Sequence, residues 1–311
     1  MKKLLKTLFV IASISIVSVA NASDPLIDSV VKVFKSDMST IKYDITTVYN
    51  SSSQSTKLSG NQATTYLLKN GNSELTATEF SNNGKIYSTV CDLHLDGFSY
   101  RFSTQGNISV LDTEQWQKIN SLAFKVSDEE ILADTQAELE MMQKKDKLSD
   151  ELVKINSRFT GSTFNSILAG LKYYFLPLMP EENKIIVDGK ETFLNGCAEY
   201  SKSGTQVIAG KSLQFIEYKT PDIFPIAMTA RYYFDNGRLV KYVSITKNDE
   251  MEVSPELQAA YGDNIVTNMG GYTIINIHEF TTDVDNNFLM VPPNIKIVKN
   301  PFYKRGMKNV F

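Results

Sequence analysis

The chain has 311 residues, of which 42% are hydrophobic and 22% are charged, and this is the composition of an ordinary globular protein. A disordered, collagen-like or coiled-coil chain is excluded, and the length suffices for a large core without a disulfide or a metal. Setting aside three lysines among the first 22 residues leaves 29 basic against 35 acidic residues, a net charge of -6. Nucleic acid is not expected as a partner, because no basic surplus is present to neutralise phosphates.

The N-terminus has the three parts of a secretory signal. Three lysines among the first six residues precede a short apolar stretch, Leu8 to Val19, and the small-residue pattern Ala20-Asn21-Ala22 follows. The apolar stretch is too short to span a bilayer, which takes about 20 residues, and no later stretch is long enough. We expect residues 1–22 to be a cleaved signal peptide, the mature protein to begin at Ser23, and its location to be periplasmic or secreted, without a membrane-spanning segment.

The mature chain opens with an amphipathic pattern over Asp24 to Ser39, which predicts a helix. Six Asn-Gly or Asp-Gly pairs then mark tight turns, since both dipeptides tolerate the positive φ angles of short hairpins. The pairs are Asn70-Gly71, Asn83-Gly84, Asp96-Gly97, Asp188-Gly189, Asn195-Gly196 and Asn236-Gly237. Six such signals predict an antiparallel sheet.

Runs of β-branched and aromatic residues between these turns predict the strands. The first set is Ile41 to Tyr49, Ala63 to Leu68, Glu74 to Phe80, Ile86 to Leu95, Phe98 to Phe102 and Ile108 to Leu111. The second set is Lys184 to Val187, Ser212 to Tyr218, Ala227 to Phe234, Leu239 to Thr246 and Tyr272 to Thr281. In one of these strands Tyr232 and Phe234 alternate with Arg231 and Tyr233, so the second face is too aromatic to be plainly solvent-exposed.

The middle of the chain is predicted to be helical. Ser127 followed by Glu130 is a capping-box pattern, so a helix is expected to start there. Another helix is predicted from Thr163 to Leu178, with Pro177 near its end and an unusually wide apolar face. Ser254-Pro255-Glu256 starts a short one. The resulting fold class is α+β, a curved antiparallel sheet covered by helices on its concave side.

Candidate metal and catalytic residues are sparse. Asp92, His94 and Asp96 share one face of a predicted strand, and two ligands at such spacing can reach one ion. A zinc site usually gathers three or four ligands, and the other histidine, His278, lies on a distant strand. We interpret the three residues as a solvent-facing stripe and expect no metal. No nucleophile elbow, phosphate loop or dinucleotide motif occurs, so we expect neither a catalytic site nor a cofactor.

Cys91 and Cys197 are the only cysteines in the chain. In an oxidising compartment two cysteines allow one intramolecular bridge. We predict that Cys91 and Cys197 form this bridge and lie on neighbouring strands with Cα atoms within about 7 Å. The alternative is a pair of free buried thiols that pack as small apolar groups.

The chain resembles the LolA-like superfamily of periplasmic lipoprotein carriers. The resemblance rests on an exported chain with an N-terminal helix, successive hairpins, the run Arg231-Tyr232-Tyr233-Phe234-Asp235-Asn236-Gly237-Arg238-Leu239-Val240, and the closing Asn287-Phe288-Leu289-Met290-Val291-Pro292-Pro293. It implies an incomplete β-barrel with helices over an apolar cavity that holds acyl chains. Residues 23–311 would then form a single LolA-like domain with a helical insert at about 113–180.

The function expected from these observations is binding or carriage of a hydrophobic ligand, a lipid or an acyl chain, which makes a hydrophobic small molecule or a lipidated protein the expected partner. The alternative is an envelope protein-interaction or sensing module that uses the same concave face. Binding is favoured over an enzymatic activity. The residues expected to line the site are Phe164, Ile167, Leu168, Leu171, Tyr174, Phe175, Tyr232 and Phe234.

Overall fold

The fold is taken from a computed structural model of the chain. The structure describes residues 24–51, 54–55, 61–105, 112–131, 133, 163–187, 189–221, 227–247 and 270–299. The predicted signal peptide, the predicted strand from Ile108 to Leu111 and the helix predicted from Ser254 lie outside these residues.

A large curved antiparallel sheet dominates the fold. Its strands in chain order are β1 Met38–Ser51, β2 Gln54–Ser55, β3 Asn61–Asn70, β4 Ser73–Asn82, β5 Lys85–Leu95, β6 Phe98–Gln105, β7 Leu122–Ser127, β10 Glu199–Ile208, β11 Lys211–Lys219, β12 Ala227–Asp235, β13 Arg238–Lys247, β14 Gly270–Thr281 and β15 Lys296–Lys299. The strands β8 Lys184–Val187 and β9 Lys190–Phe193 form a separate hairpin.

In space the sheet runs β10-β11-β12-β13-β14-β1-β3-β4-β5-β6-β7-β15, with β2 beside β1. Its neighbours pair antiparallel except β7 and β15, which are parallel. Within the described residues β10 and β15 are not paired with each other, so the sheet is open. The coarse fold prediction, an α+β chain built on a curved antiparallel sheet, is therefore confirmed.

The described helices are few and short. They include α1 Pro25–Lys35, α2 Thr113–Lys118, α3 Thr163–Tyr173 and α4 Pro180–Asn183, with 3-10 turns at Leu176–Leu178 and Asn286–Phe288, and residues 128–131 are also helical. Helix α1 begins as predicted, because Asp24 accepts a hydrogen bond from the Leu26 N–H at 2.9 Å. It ends before Ser39, since that residue already pairs in β1.

Tight turns join most neighbouring strands where the sequence predicts them. Both residues of Asn83-Gly84, Asp96-Gly97 and Asn236-Gly237 have positive φ, between 49° and 79°. Two consecutive positive φ values are the mark of the turn whose twist suits a two-residue hairpin. These three predicted hairpins are confirmed.

Every predicted strand within the described residues is present, and its ends lie within three residues of the prediction. The sequence analysis missed β2, β7, β9, β10 and β15. Strand β7 lies inside the segment 113–180, which was predicted to be a helical insert. It leads directly into the helix that was predicted to start after Ser127. The Ser127 N–H and hydroxyl both donate hydrogen bonds to the Glu130 carboxylate.

Two hydrophobic clusters lie on opposite faces of the sheet, as the neighbours Leu67 and Leu68 show by belonging one to each. The helix-side cluster joins α1, α3 and the turn after α3 to the strands from β11 to β3; its largest buried residues include Phe34, Phe175, Tyr232, Tyr242 and Phe280. The tryptophan cluster joins α2 and the C-terminal segment to β3–β7; its members include Leu75, Leu93, Phe102, Trp116 and Phe288.

None of the helices in the described part of the chain combines the length and the apolar character needed to cross a bilayer.

Candidate functional site

Helix α3 carries most of the residues predicted to bind a ligand. It begins at Thr163, as predicted, and ends at Tyr173, earlier than the predicted end at Leu178. The helix stops early because Pro177 has no N–H to donate and disfavours a helical residue before it. Its side chains are buried unequally, since Phe164 and Leu171 are buried whereas Ile167 and Leu168 are only partly buried.

The sheet side of the site is aromatic. Tyr232 on β12 lies opposite Tyr242 on β13, and their rings are 5.3 Å apart. Tyr218 on β11 meets Tyr232 edge to face at 6.0 Å. Aromatic pairs at such separations add stability beyond the area they bury. Three neighbouring strands therefore present a tyrosine layer to the helices.

Phe175 joins this layer to the helices. Its ring lies 5.7 Å from both Tyr232 and Tyr242, and 5.4 Å from Phe34 of α1. The Tyr232 hydroxyl donates a hydrogen bond to the Tyr174 carbonyl at 2.7 Å, which anchors the chain just after α3 to the centre of the sheet. The turn after α3 is thus anchored to the sheet by both ring contacts and this hydrogen bond.

The tyrosines of the site are neutral. Burial raises the pKa of Tyr232 well above its ordinary value of 10.0. Burial also raises the pKa of Tyr218 to about 12 and that of Tyr43 to about 12. A phenol that loses its hydration strongly disfavours the charged form. At neutral pH the site therefore presents uncharged rings with hydroxyl groups and no formal charge from these residues.

A buried asparagine holds the end of α3 in place. The Asn195 amide donates to the Tyr173 carbonyl at 2.9 Å and accepts from the Cys197 N–H at 3.0 Å. Asn183 exchanges two further hydrogen bonds with the Asn195 backbone, at 2.7 and 3.1 Å. The prediction of a hairpin turn at Asn195-Gly196 is wrong, because this side chain satisfies a helix end instead.

A polar joint binds the start of α3 to the sheet, and it consists of Asp92, Arg101 and Thr163. Arg101 Nε donates to Asp92 at 2.8 Å, and Thr163 also donates to the same Asp92 oxygen. Asp92 is buried, with a side chain only 9% exposed. The prediction that Asp92 belongs to a solvent-facing stripe is therefore wrong, because its face of β5 receives the end of a helix.

His94, the second residue of that stripe, bonds to Asp128 at 2.8 Å. His278 bonds instead to Asp44 at 2.6 Å, far from His94. Within the described ranges no three His, Cys, Asp or Glu side chains meet in a way that could hold a metal ion.

Cys91 and Cys197 are both buried, and neither is bonded to the other. Cys91 on β5 belongs to the tryptophan cluster, whereas Cys197 precedes β10 and belongs to the helix-side cluster. The predicted bridge is wrong, because the two residues lie on opposite faces of the sheet and not on neighbouring strands. Burial raises the pKa of both thiols, that of Cys197 to about 11, so they are packed as neutral groups.

The structure brings all eight predicted site residues into or against one cluster, although that they bind a ligand stays a prediction. Phe164, Leu171, Phe175, Tyr232 and Phe234 are buried, and Ile167, Leu168 and Tyr174 are partly buried. The sequence analysis missed Phe34, Tyr218, Tyr242 and Phe280. Tyr242 could not be found by counting from the Asn236-Gly237 turn, because a bulge between Tyr233 and Phe234 shifts the pairing by one residue.

No protein-family model matches the chain, and no curated protein matches its sequence. Among solved structures, the chain is similar to a domain from Vibrio parahaemolyticus described as an outer membrane lipoprotein-sorting protein domain, with 10% identity, a TM-score of 0.22, and alignment over 85% of this chain and 94% of that chain. It is also aligned with MucB in complex with MucA(peri), at 7% identity and a TM-score of 0.11, over 84% and 94% of the two chains. The first likeness is a weak architectural resemblance to a LolA-like domain.

Proposed function

We propose that this chain is an exported protein that binds a hydrophobic ligand, a lipid or an acyl chain, between α3 and the sheet. The observation that carries the proposal is the uneven burial at the margin of the helix-side cluster. Ile167, Leu168 and Tyr174 pack against a fully buried aromatic layer but keep part of their own surface exposed. Apolar side chains in this position can gain further burial from a ligand.

Burial of apolar area would drive binding, at roughly 25 cal/mol per Å² removed from water. In the proposed arrangement the helices cover the concave side of the sheet, and the acyl chain lies along Ile167 and Leu168. The neutral tyrosines suit such a ligand, because no charge has to lose its hydration when it enters. In this proposal the middle of α3 shifts when the ligand enters. The two ends of the helix are held by hydrogen bonds, whereas Ile167 and Leu168 in its middle are only partly buried.

Export is the second part of the proposal. The first 22 residues carry the pattern of a cleaved signal, and the proposed location is the periplasm or the exterior. The mass of the intact protein recovered from the exported fraction tests this directly. A chain that begins at Ser23 supports export by cleavage, and a recovered chain that retains residues 1–22 contradicts it.

The binding proposal is tested by two measurements on the protein purified from its native compartment. Mass spectrometry of an organic extract should find lipid or fatty acid in stoichiometric amount. Uptake of a fluorescent fatty acid should weaken several-fold in Leu168→Ala. The matched control is Ile186→Ala, which changes an exposed apolar residue (68%) on the separate β8–β9 hairpin.

Two results would end the proposal. One is an extract without lipid together with uptake that Leu168→Ala leaves unchanged. The other is a stoichiometric protein segment, recovered by crosslinking through the residues around Leu168, which would favour the alternative of a protein-interaction module at the same face.

A further inference from the structure

The two edges of the large sheet are built differently. Strand β15 at one edge has four residues and carries lysine at both ends, Lys296 and Lys299. Short strands with lysines resist the addition of another strand. Strand β10 at the other edge has ten residues, of which nine are exposed. In the part of the chain that the structure describes, only β11 pairs with β10. The β10 edge therefore offers a long row of backbone donors and acceptors.

The exposed side chains of β10 also differ from those of a protected edge. Two of its large apolar residues, Tyr200 and Val207, are 58% and 69% exposed. Lys202 is its only basic residue, and it pairs with Glu217 of its own sheet at 3.8 Å. Glu199 is likewise occupied by Lys219 at 3.9 Å. Because both charges are paired within their own sheet, they do not repel a strand that approaches this edge.

We propose that the β10 edge binds the β10 edge of a second copy of this chain, antiparallel and about a two-fold axis at Gly204. Strand addition of this kind takes affinity from backbone hydrogen bonds and specificity from alternate side chains. A two-fold axis makes the interface self-complementary, as closed dimers require. The product is one continuous sheet that runs through both copies.

The register follows from a bulge in β10. Tyr200 pairs with Tyr218 and Lys202 with Glu217, so Ser201 is an extra residue. When Ser201 is counted as the extra residue, pairing about Gly204 sets Tyr200 opposite Val207 of the other copy, and this contact occurs twice. Every residue of β10 except Ser201 then takes part, since Glu199 lies opposite Ile208.

The same register is favourable for the remaining side chains. Ser203 lies opposite Thr205, and Lys202 lies opposite Gln206, so no like charges face each other across the axis. Cross-strand hydroxyl pairs and aromatic with β-branched pairs are both stabilising.

Gly204 at the axis is closely packed within each copy. A Cβ at this position would lie 3.2 Å from the Phe215 ring of the neighbouring strand. The glycine therefore lets Phe215 cover the backbone, and it leaves no side chain to collide at the axis.

Sedimentation velocity over a concentration series tests the proposal on the mature chain. The wild type should show a reversible monomer–dimer equilibrium. Ser203→Lys/Thr205→Lys sets lysines opposite each other twice and should raise the dimer dissociation constant roughly tenfold or more. Ser203→Lys/Thr205→Glu sets opposite charges across the same positions and should restore the wild-type value. Circular dichroism of all variants checks that each one folds.

Ile186→Lys on the β8–β9 hairpin is the control for an added surface charge, and it should leave the dimer unchanged. Amide hydrogen exchange supplies a second measurement, in which protection of β10 should rise with protein concentration while that of β15 should not. A chain that stays monomeric at every concentration overturns the proposal. So does a dimer that both double variants leave intact, or a monomer whose β10 is protected by a co-purified peptide of another protein.

Discussion

The helix-side cluster and the tryptophan cluster share one sheet but are closed in different ways. Trp116 is fully buried, and its indole N–H donates to the Met290 carbonyl at 3.2 Å, so a single side chain seals the tryptophan cluster. The helix-side cluster is sealed by α1, α3 and the turn after α3, and its margin keeps Ile167 and Leu168 partly exposed. The tryptophan cluster is therefore a packed core. The helix-side cluster is a core whose border carries partly exposed apolar side chains, and these form its apolar margin.

Under the binding proposal, the difference indicates where a ligand would enter with the least disruption of the fold. In the tryptophan cluster, the Trp116 ring is held between Phe102 and Phe288, each 5.9 Å away. Displacing this ring would expose the buried side chains of the strands that it covers. In the helix-side cluster, Phe175 after α3 and Tyr232 on β12 make many of the aromatic contacts, whereas Ile167 and Leu168 of α3 are only partly buried.

The largest expected effect is that of Trp116→Ala. Removing a fully buried aromatic side chain should lower the free energy of unfolding by about 3–5 kcal/mol. Urea unfolding, followed by circular dichroism, measures the loss. Leu122→Ala on β7 is the control, because that side chain is 53% exposed and should change stability by about 0.5 kcal/mol or less. A loss below about 1 kcal/mol for Trp116→Ala would show that this cluster is not a packed core.

The next effect compares two leucines on the same helix. Leu171→Ala, at a position 2% exposed, should lower the free energy of unfolding by about 2–5 kcal/mol. Leu168→Ala should cost only about 1 kcal/mol, since its side chain is partly exposed. Thermal or urea unfolding of both variants measures the difference. Equal large losses would mean that α3 is packed on all sides and has no apolar margin.

The polar joint that binds the start of α3 to the sheet is tested by Asp92→Asn. The change removes a buried charge that Arg101 and Thr163 both contact, and it should cost about 1–3 kcal/mol. The matched control is Glu114→Gln, which breaks the exposed pair with Lys118 (3.6 Å) and should cost about 0.5 kcal/mol or less. Chemical unfolding at neutral pH measures both. If the two variants lose the same small amount, the joint does not stabilise the start of α3.

The smallest effect concerns alkaline pH and Tyr232→Phe. At neutral pH the variant loses the hydrogen bond to the Tyr174 carbonyl, which should lower the free energy of unfolding by about 1 kcal/mol. Burial raises the pKa of Tyr232 in the folded state, so its stabilising contribution is complete below pH 10 and falls as the pH rises above it. The cost of the substitution should therefore shrink, by about 1.4 kcal/mol per pH unit above pH 10.

Unfolding measured at several alkaline pH values, with Tyr87→Phe alongside to correct for the loss of an exposed tyrosine, checks this pH dependence. A cost that stays constant up to pH 12 would contradict the assignment of a buried neutral phenol to Tyr232.

Much of the local structure could be predicted from the sequence. The hairpins at Asn83-Gly84, Asp96-Gly97 and Asn236-Gly237 and the capping box at Ser127 were confirmed, because each depends on residues only a few positions apart. Strand β10 was missed because its Ser, Thr, Gly and Gln residues lack the apolar alternation that marks a half-buried strand. It forms nonetheless, since β11 supplies a template for its hydrogen bonds.

The candidate site was predicted in part. The wide apolar face of α3 pointed to its packing against Tyr232 and Phe234, and the structure brings these residues into one cluster. The partners Phe34 and Phe280 could not be found, because they lie near opposite ends of the described part of the chain. Tyr242 was hidden by the bulge in the β12–β13 register.

The sequence by itself determined three of the hairpins, the starts of α1, α3 and the helix after Ser127, and the α+β class, because backbone preferences and capping act over a few residues. Only the tertiary structure decided that Cys91 and Cys197 are separated, that Asp92 is buried under the start of α3, and that Asn195 closes a helix end. Each of these outcomes depends on which face of the sheet a residue occupies and on what covers that face. Strand order and helix docking set both, through contacts between residues far apart in the chain.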